Sequence, residues 1–214
     1  MIRVKGGVKL HYRLNRGDLQ SIREVWIDEC YRLPFDLLPN RFVDLGANIG
    51  LTSLWFARRY GSHSIIAIEP SPDNARLTRL NLADNQIAAE VIEAAVGARD
   101  GTALFEDADD SNVGHINGIG GRRVTMISME TVLGKLSAGS EVDLVKMDIE
   151  GGEGPLLSDN LGWLGRVRSI IAEFHPTLID YPAVIKTIEG QGFRYLPAHS
   201  ASNFDSMDAF IRTT

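Results

Sequence analysis

Short apolar runs alternate with stretches of helical spacing along most of the chain. Runs of this kind predict buried strands, and the stretches between them predict helices. The predicted strands of this alternating part are 42–45, 64–69, 90–95, 142–148 and 167–174. The predicted helices are 49–60, 71–85, 129–136 and 183–189. Such alternation predicts an α/β fold with a doubly wound, mostly parallel sheet.

The two ends of the chain have other patterns. Residues 193–196 and 208–211 predict two strands with only a loop between them. A parallel crossover usually needs a helix, so we expect this C-terminal pair to form an antiparallel hairpin. Residues 101–127 predict loops and short strands.

The first 40 residues predict a strand–helix extension outside the main sheet. A helical pattern begins at Gly17-Asp18 and ends before Pro34. The strand that precedes it would place four side chains on one face: Val8, Leu10, Tyr12 and Leu14. We therefore expect an extension over residues 1–40 and one domain over residues 41–214.

Composition removes several classes of function. The formal net charge is −6, without the basic face typical of a duplex nucleic-acid binder. No apolar run is long enough to span a membrane, and the first residues lack the apolar core of a signal peptide. The single cysteine, Cys30, excludes an intrachain disulfide, and we expect it to be buried. These features favour the cytoplasm. The acidic run 106–110 predicts a solvated loop.

The first chemical motif follows the strand 42–45. Asp44, Gly46 and Gly50 form the pattern Asp-x-Gly-x-x-x-Gly, which differs from the Gly-x-Gly-x-x-Gly of dinucleotide-binding turns. A pyrophosphate needs many backbone donors at a helix N-terminus, whereas S-adenosylmethionine (SAM) has no phosphate there. Asp44 would attract the amino group of its methionine part. The alternative is a plain strand-to-helix turn.

An acid ends the second strand of the series. Glu69 is followed by Ser71-Pro72-Asp73, a typical helix start. A carboxylate at this distance from the glycine loop suits two ribose hydroxyls. A solvated strand end is the alternative.

Two further strands end in chemistry-bearing residues. Lys146 and Asp148 lie at the end of the strand 142–148, and Glu173 and His175 lie at the end of 167–174. In open α/β sheets, ligands bind at the carboxyl ends of the strands. A structural histidine at this edge is the alternative to a catalytic one.

These segments resemble the FkbM family of SAM-dependent methyltransferases. The resemblance lies in 43–50, in 69–74, in 144–151 and in 173–175, which together span residues 41–176. It implies a class I methyltransferase fold and O-methylation of a small natural-product or sugar hydroxyl. Gly154-Pro155 departs from the helix-forming residues expected after Glu153. The residues expected at the cofactor are Asp44, Gly46, Asn48, Gly50, Glu69 and Ser71.

An acceptor hydroxyl must lose a proton, so a general base is expected. His175 is the first candidate and Asp148 the second, with Glu173 orienting the imidazole or the acceptor. Lys146 would stabilise negative charge or, the favoured alternative, pair with an acid. A divalent metal on Asp148, Glu173 and His175 is a further possibility, but a metal-free cluster is favoured over it.

Two rival functions stay open at the level of sequence. A nicotinamide-dependent oxidoreductase would use the same fold, but the Gly-x-Gly-x-x-Gly turn is missing. A SAM-binding module without catalysis would keep the cofactor residues alone. Neither the acceptor nor the oligomeric state can be read from the chain.

Overall fold

The computed structural model describes residues 1–106, 115–116, 121–136, 139–197 and 207–213. Most of the acidic run 106–110 lies outside these residues. The strands are β1 (Ile2–Arg3), β2 (Lys9–Leu10), β3 (Arg41–Leu45), β4 (Ser64–Ile68), β5 (Ala89–Ile92), β6 (Ala95–Gly97), β7 (Gly101–Glu106), β8 (His115–Ile116), β9 (Arg122–Ser128), β10 (Leu144–Met147), β11 (Ser169–Glu173), β12 (Phe193–Pro197) and β13 (Met207–Arg212). The helices are α1 (Arg16–Trp26), α2 (Leu51–Tyr60), α3 (Pro72–Asp84), α4 (Met129–Gly134), α5 (Glu153–Leu156) and α6 (Tyr181–Gly190).

The main sheet confirms the predicted architecture. Its strand order is β12-β13-β11-β10-β3-β4-β5. The five strands from β11 to β5 are parallel, whereas β13 is antiparallel to both β11 and β12. The predicted C-terminal hairpin is thus present, and β13 lies on its inner side.

Helices cover both faces of this sheet. Adjacent residues of a strand point to opposite faces, so Phe42 packs in one apolar cluster and Val43 in the other. The first cluster contains side chains of α1, α2 and α3, and the second contains side chains of α4, α5 and α6. This arrangement explains why the central strands are apolar on both faces.

The N-terminal strand is shorter than the alternation predicts. Only Lys9–Leu10 is a strand, and the side chain expected at the end of the face, Leu14, is 88% exposed. The backbone there bonds to α3 instead: the amides of Lys9 and His11 donate to the side-chain oxygens of Asn85 and Asn81. Beyond the short antiparallel pairing of β2 with β1, side-chain amides therefore take the place of a strand ladder.

The region after α3 also departs from the prediction. The predicted strand 90–95 is divided between β5 of the main sheet and β6 of a second sheet. That second sheet has the order β6-β9-β7-β8 and contains the segments predicted only as loops and short strands. Among the described residues, no helix is both long and apolar enough to cross a bilayer.

Candidate active site

The glycine loop after β3 lies against the end of β10. Gly46 has φ of 75°, and a Cβ on it would be 1.8 Å from the carbonyl oxygen of Asp148. Gly50, at φ 79°, lies close to α3, where a Cβ would be 2.8 Å from Thr78 Cγ2. Both positions therefore need glycine because of neighbouring protein atoms and a left-handed backbone.

Glu69 connects the end of β4 to this loop. Its Oε2 accepts the backbone N–H of Asn48 at 2.8 Å, and its Oε1 accepts that of Ser71 at 2.8 Å. Burial raises the pKa of Glu69 to about 7, although these two hydrogen bonds act in the opposite direction. Ser71 occupies the N-cap position of α3, as its sequence position suggested, but its side chain makes no capping hydrogen bond, and its N–H contacts Glu69.

Asp44 and Lys146 form a buried ion pair between β3 and β10. Asp44 is fully buried, and its Oδ2 accepts the hydroxyl of Ser53 at 2.7 Å. The Nζ of Lys146 lies 3.3 Å from Asp44 Oδ1 and 3.4 Å from Asp148 Oδ2, and it donates to the carbonyl of Gly46 at 2.6 Å. Burial would lower the pKa of Lys146, but Asp148 and Asp44 hold it above its ordinary value. Lys146 thus ties two strand ends to the glycine loop.

The N-terminal extension supplies a site residue that sequence reasoning missed. The hydroxyl of Tyr31 donates to Asp148 Oδ2 at 2.9 Å, and its ring lies 5.5 Å from Lys146 Nζ. A separation of 117 residues hides this contact from any local motif. The neighbouring Cys30 has its pKa raised by burial and by the charge of Glu173, so the thiol stays protonated.

His175 lies between two carboxylates. Its Nδ1 is 3.1 Å from Glu153 Oε1, and its Nε2 is 3.3 Å from Glu150 Oε2. Burial opposes the charged imidazolium, yet the Glu153 hydrogen bond and the Glu150 charge raise the pKa of His175 to about 9. Both ring nitrogens therefore face carboxylates, whereas the general base expected from the sequence needs one nitrogen that faces the acceptor.

Glu173 does not join the cluster expected of it. Among the residues that the structure describes, the groups close enough to share an ion are Asp148, Glu150 and His175, whose ligand atoms lie within 4.8 Å of one another. β11 ends at Glu173, and the chain then turns, with the N–H of Leu178 donating to the carbonyl of His175. Strand alternation therefore no longer places Glu173 and His175 side by side. Instead, the charge of Glu173 helps to raise the pKa of Cys30 and that of Tyr31.

The overall fold is similar to that of solved methyltransferase structures. A methyltransferase from Pyrococcus furiosus is similar at a TM-score of 0.55 and 9% identity, covering 98% of this chain and 91% of that one. Aeropyrum pernix fibrillarin, solved with natively bound S-adenosyl-L-methionine, is similar at a TM-score of 0.54 and 14% identity, covering 89% and 74%. The fold is that of class I SAM-dependent methyltransferases.

The sequence comparisons specify the family. Residues 44–195 match the Methyltransferase FkbM domain, so the chain belongs to the FkbM methyltransferase family. Methyltransferase sdnD of Sordaria araneosa is 29% identical, covering 86% of this chain and 85% of that protein. The 31-O-demethyl-FK506 methyltransferase FkbM of Streptomyces tacrolimicus is 25% identical, covering 84% of each. The matched segment runs from Asp44 in β3 to Tyr195 in β12.

Proposed function

We propose that this protein transfers the methyl group of SAM to a hydroxyl of a small natural-product or sugar acceptor. The observation that carries the proposal is the position of Asp148, whose carboxylate ends β10 directly beside the glycine loop. Its side chain is 22% exposed, in contrast to the buried Asp44. The FkbM relative is named as a methyltransferase of 31-O-demethyl-FK506, and this name supports an oxygen atom as the methyl acceptor.

The residues of the loop suit the cofactor, although Asp44 has a partner within the protein, Lys146, where the sequence suggested the amino group of SAM. Asp44 Oδ2 accepts the hydroxyl of Ser53, and its Oδ1 is ion-paired with Lys146 at 3.3 Å, so we assign Asp44 to supporting the loop. Asn48 Oδ1 is buried and has no hydrogen-bond partner among the described residues, which suits a ligand donor. Glu69 would accept ribose hydroxyls with its remaining acceptor capacity. When bound, SAM would supply an activated methyl group: the acceptor oxygen would form a bond to the methyl carbon as the bond from that carbon to sulfur breaks, which releases S-adenosylhomocysteine (SAH) with an uncharged sulfur.

The protein's own task is to hold the acceptor and to take its proton. In the proposal, Asp148 receives that proton, while Tyr31 and Lys146 hold its carboxylate in place. The extension over residues 1–40, which carries Tyr31, would thereby shape the acceptor pocket.

Substitution of Asp148 tests this assignment. Asp148→Asn should lower kcat by about 10²–10⁴-fold, the usual scale for general acid–base catalysis. SAH affinity, measured by calorimetry, should stay within a few-fold. Asp159→Asn is the matched control, because Asp159 is an exposed acid that pairs with Arg99 at the surface. Turnover by Asp148→Asn at the rate of this control would remove Asp148 from the reaction.

A further inference from the structure

Three side chains with metal-binding atoms converge at the carboxyl edge of β10 and β11. The ligand atoms of Asp148, Glu150 and His175 all lie within 4.8 Å of one another. Within this cluster, His175 Nε2 lies 3.3 Å from Glu150 Oε2. These side chains are 18–22% exposed, so an ion could enter from solvent and still keep mostly protein neighbours.

A second observation comes from Glu153, which stands behind this cluster. Glu153 is fully buried, and its Oε1 contacts both His175 Nδ1 and the N–H of Ile149 at 3.1 Å. Its other oxygen, Oε2, is buried without a hydrogen-bond partner among the described residues. A buried carboxylate with an unpaired oxygen is costly unless positive charge lies nearby; a protonated His175 supplies that charge, and a cation held by His175 would take its place.

The contact between Glu153 and His175 also orients the ring. Histidines that bind metals usually donate their second ring N–H to a carboxylate, which fixes the tautomer and turns the free nitrogen toward the ion. Glu153 accepts at Nδ1, and this leaves Nε2 facing Glu150. The arrangement is that of a ligand histidine with its supporting acid.

We propose that Asp148, Glu150 and His175 bind one divalent cation of the Mg²⁺ or Mn²⁺ class. Two carboxylates and one imidazole suit these ions, with Glu153 as the positioning residue. The inference rests on the proposed function, because a cation there would bind the acceptor hydroxyl and make it more acidic. It replaces the ligand set expected from the sequence, since Glu150 takes the place of Glu173.

Direct titration with Mn²⁺ tests the site. Metal-stripped full-length protein is titrated with Mn²⁺ by electron paramagnetic resonance, and SAH binding is measured on the same preparation. We expect one saturable Mn²⁺ site per chain. Glu150→Gln and His175→Gln should each weaken it by at least about tenfold. Glu141→Gln, which removes an exposed carboxylate paired with Arg168, should leave it unchanged.

Each result decides one of the two proposals. Absence of saturable binding at millimolar Mn²⁺, or equal affinity in Glu150→Gln and Glu141→Gln, overturns the metal site. If SAH still binds in that case, the metal site alone is overturned and the cofactor site stands. A thermal melt checks that each variant is folded, and two independent ligand variants keep the test decisive if one of them is not.

Discussion

At the scale of single residues, Glu69 holds a carboxylate almost out of reach of solvent. Only 5% of the residue is exposed, and its hydrogen bonds to the loop do not fully offset the cost of burial. Its pKa of about 7 in the folded protein lies above the ordinary 4.5. A raised pKa means that ionisation favours the unfolded chain.

Glu69 should therefore make the ligand-free protein less stable as pH rises. Its contribution is fully present below pH 4.5 and is lost as pH rises through about 7. The free energy of unfolding of the native protein, relative to Glu69→Gln, should fall by on the order of 2–3 kcal/mol across this window. Urea denaturation at several pH values measures the difference. Parallel pH curves for the two proteins would show that Glu69 is not strained by burial.

The site residues differ in how far the sequence could identify them. Asp44, Gly46 and Glu69 stand in a local pattern, so the sequence predicted a common site for them. The structure adds contacts that the pattern does not show, because Asp44 and Glu69 also bind the protein's own donors. Tyr31 comes from another part of the chain, and its contact with Asp148 depends on tertiary packing that no local pattern records.

At the scale of elements, the loop after β3 and the end of β10 fit together through Gly46. The loop is also fixed to β4, since the amides of Gly46 and Ala47 donate to the carbonyl of Ile68. Lys146 adds a third connection through its bond to the Gly46 carbonyl. The glycine loop and the end of β10 are thus one packed unit.

Gly46→Ala should destabilise this unit. The new Cβ would combine a left-handed backbone with a 1.8 Å approach to Asp148, which costs about 2–4 kcal/mol in total. Gly61→Ala is the matched control, because Gly61 has φ of 77° but no atom within 4 Å of its Cβ position. Urea denaturation should show a clearly larger loss for Gly46→Ala. Equal losses would mean that backbone conformation alone, and not the contact with β10, requires glycine at position 46.

The sequence predicted helices and strands correctly wherever the spacing of apolar residues was regular. The buried parallel strands and their helices match the sequence pattern to within a few residues. The pattern failed where side chains or another sheet decide the pairing. Asn81 and Asn85 bind the backbone of His11 and Lys9. The predicted strand 90–95 ends in β6, which belongs to the second sheet. Such long-range pairings leave no periodic trace in the sequence.

At the scale of the whole molecule, the parallel sheet brings the site together. β3, β4, β10 and β11 all run in one direction, so their carboxyl ends meet at one edge. The glycine loop, Glu69, Asp148 and His175 lie at that edge although they are distant in sequence. The fold explains why these groups share one location, and the family match places the chain among methyltransferases.

Methyl transfer to a defined atom is the most direct test of the central claim. The full-length protein is incubated with SAM that carries a deuterated methyl group and with a panel of macrolide and sugar acceptors bearing free hydroxyls. The account predicts an acceptor that gains the labelled methyl group on oxygen, as located by mass spectrometry and nuclear magnetic resonance, with formation of SAH. Transfer only to nitrogen or carbon, or tight SAH binding without transfer to any acceptor, would contradict it.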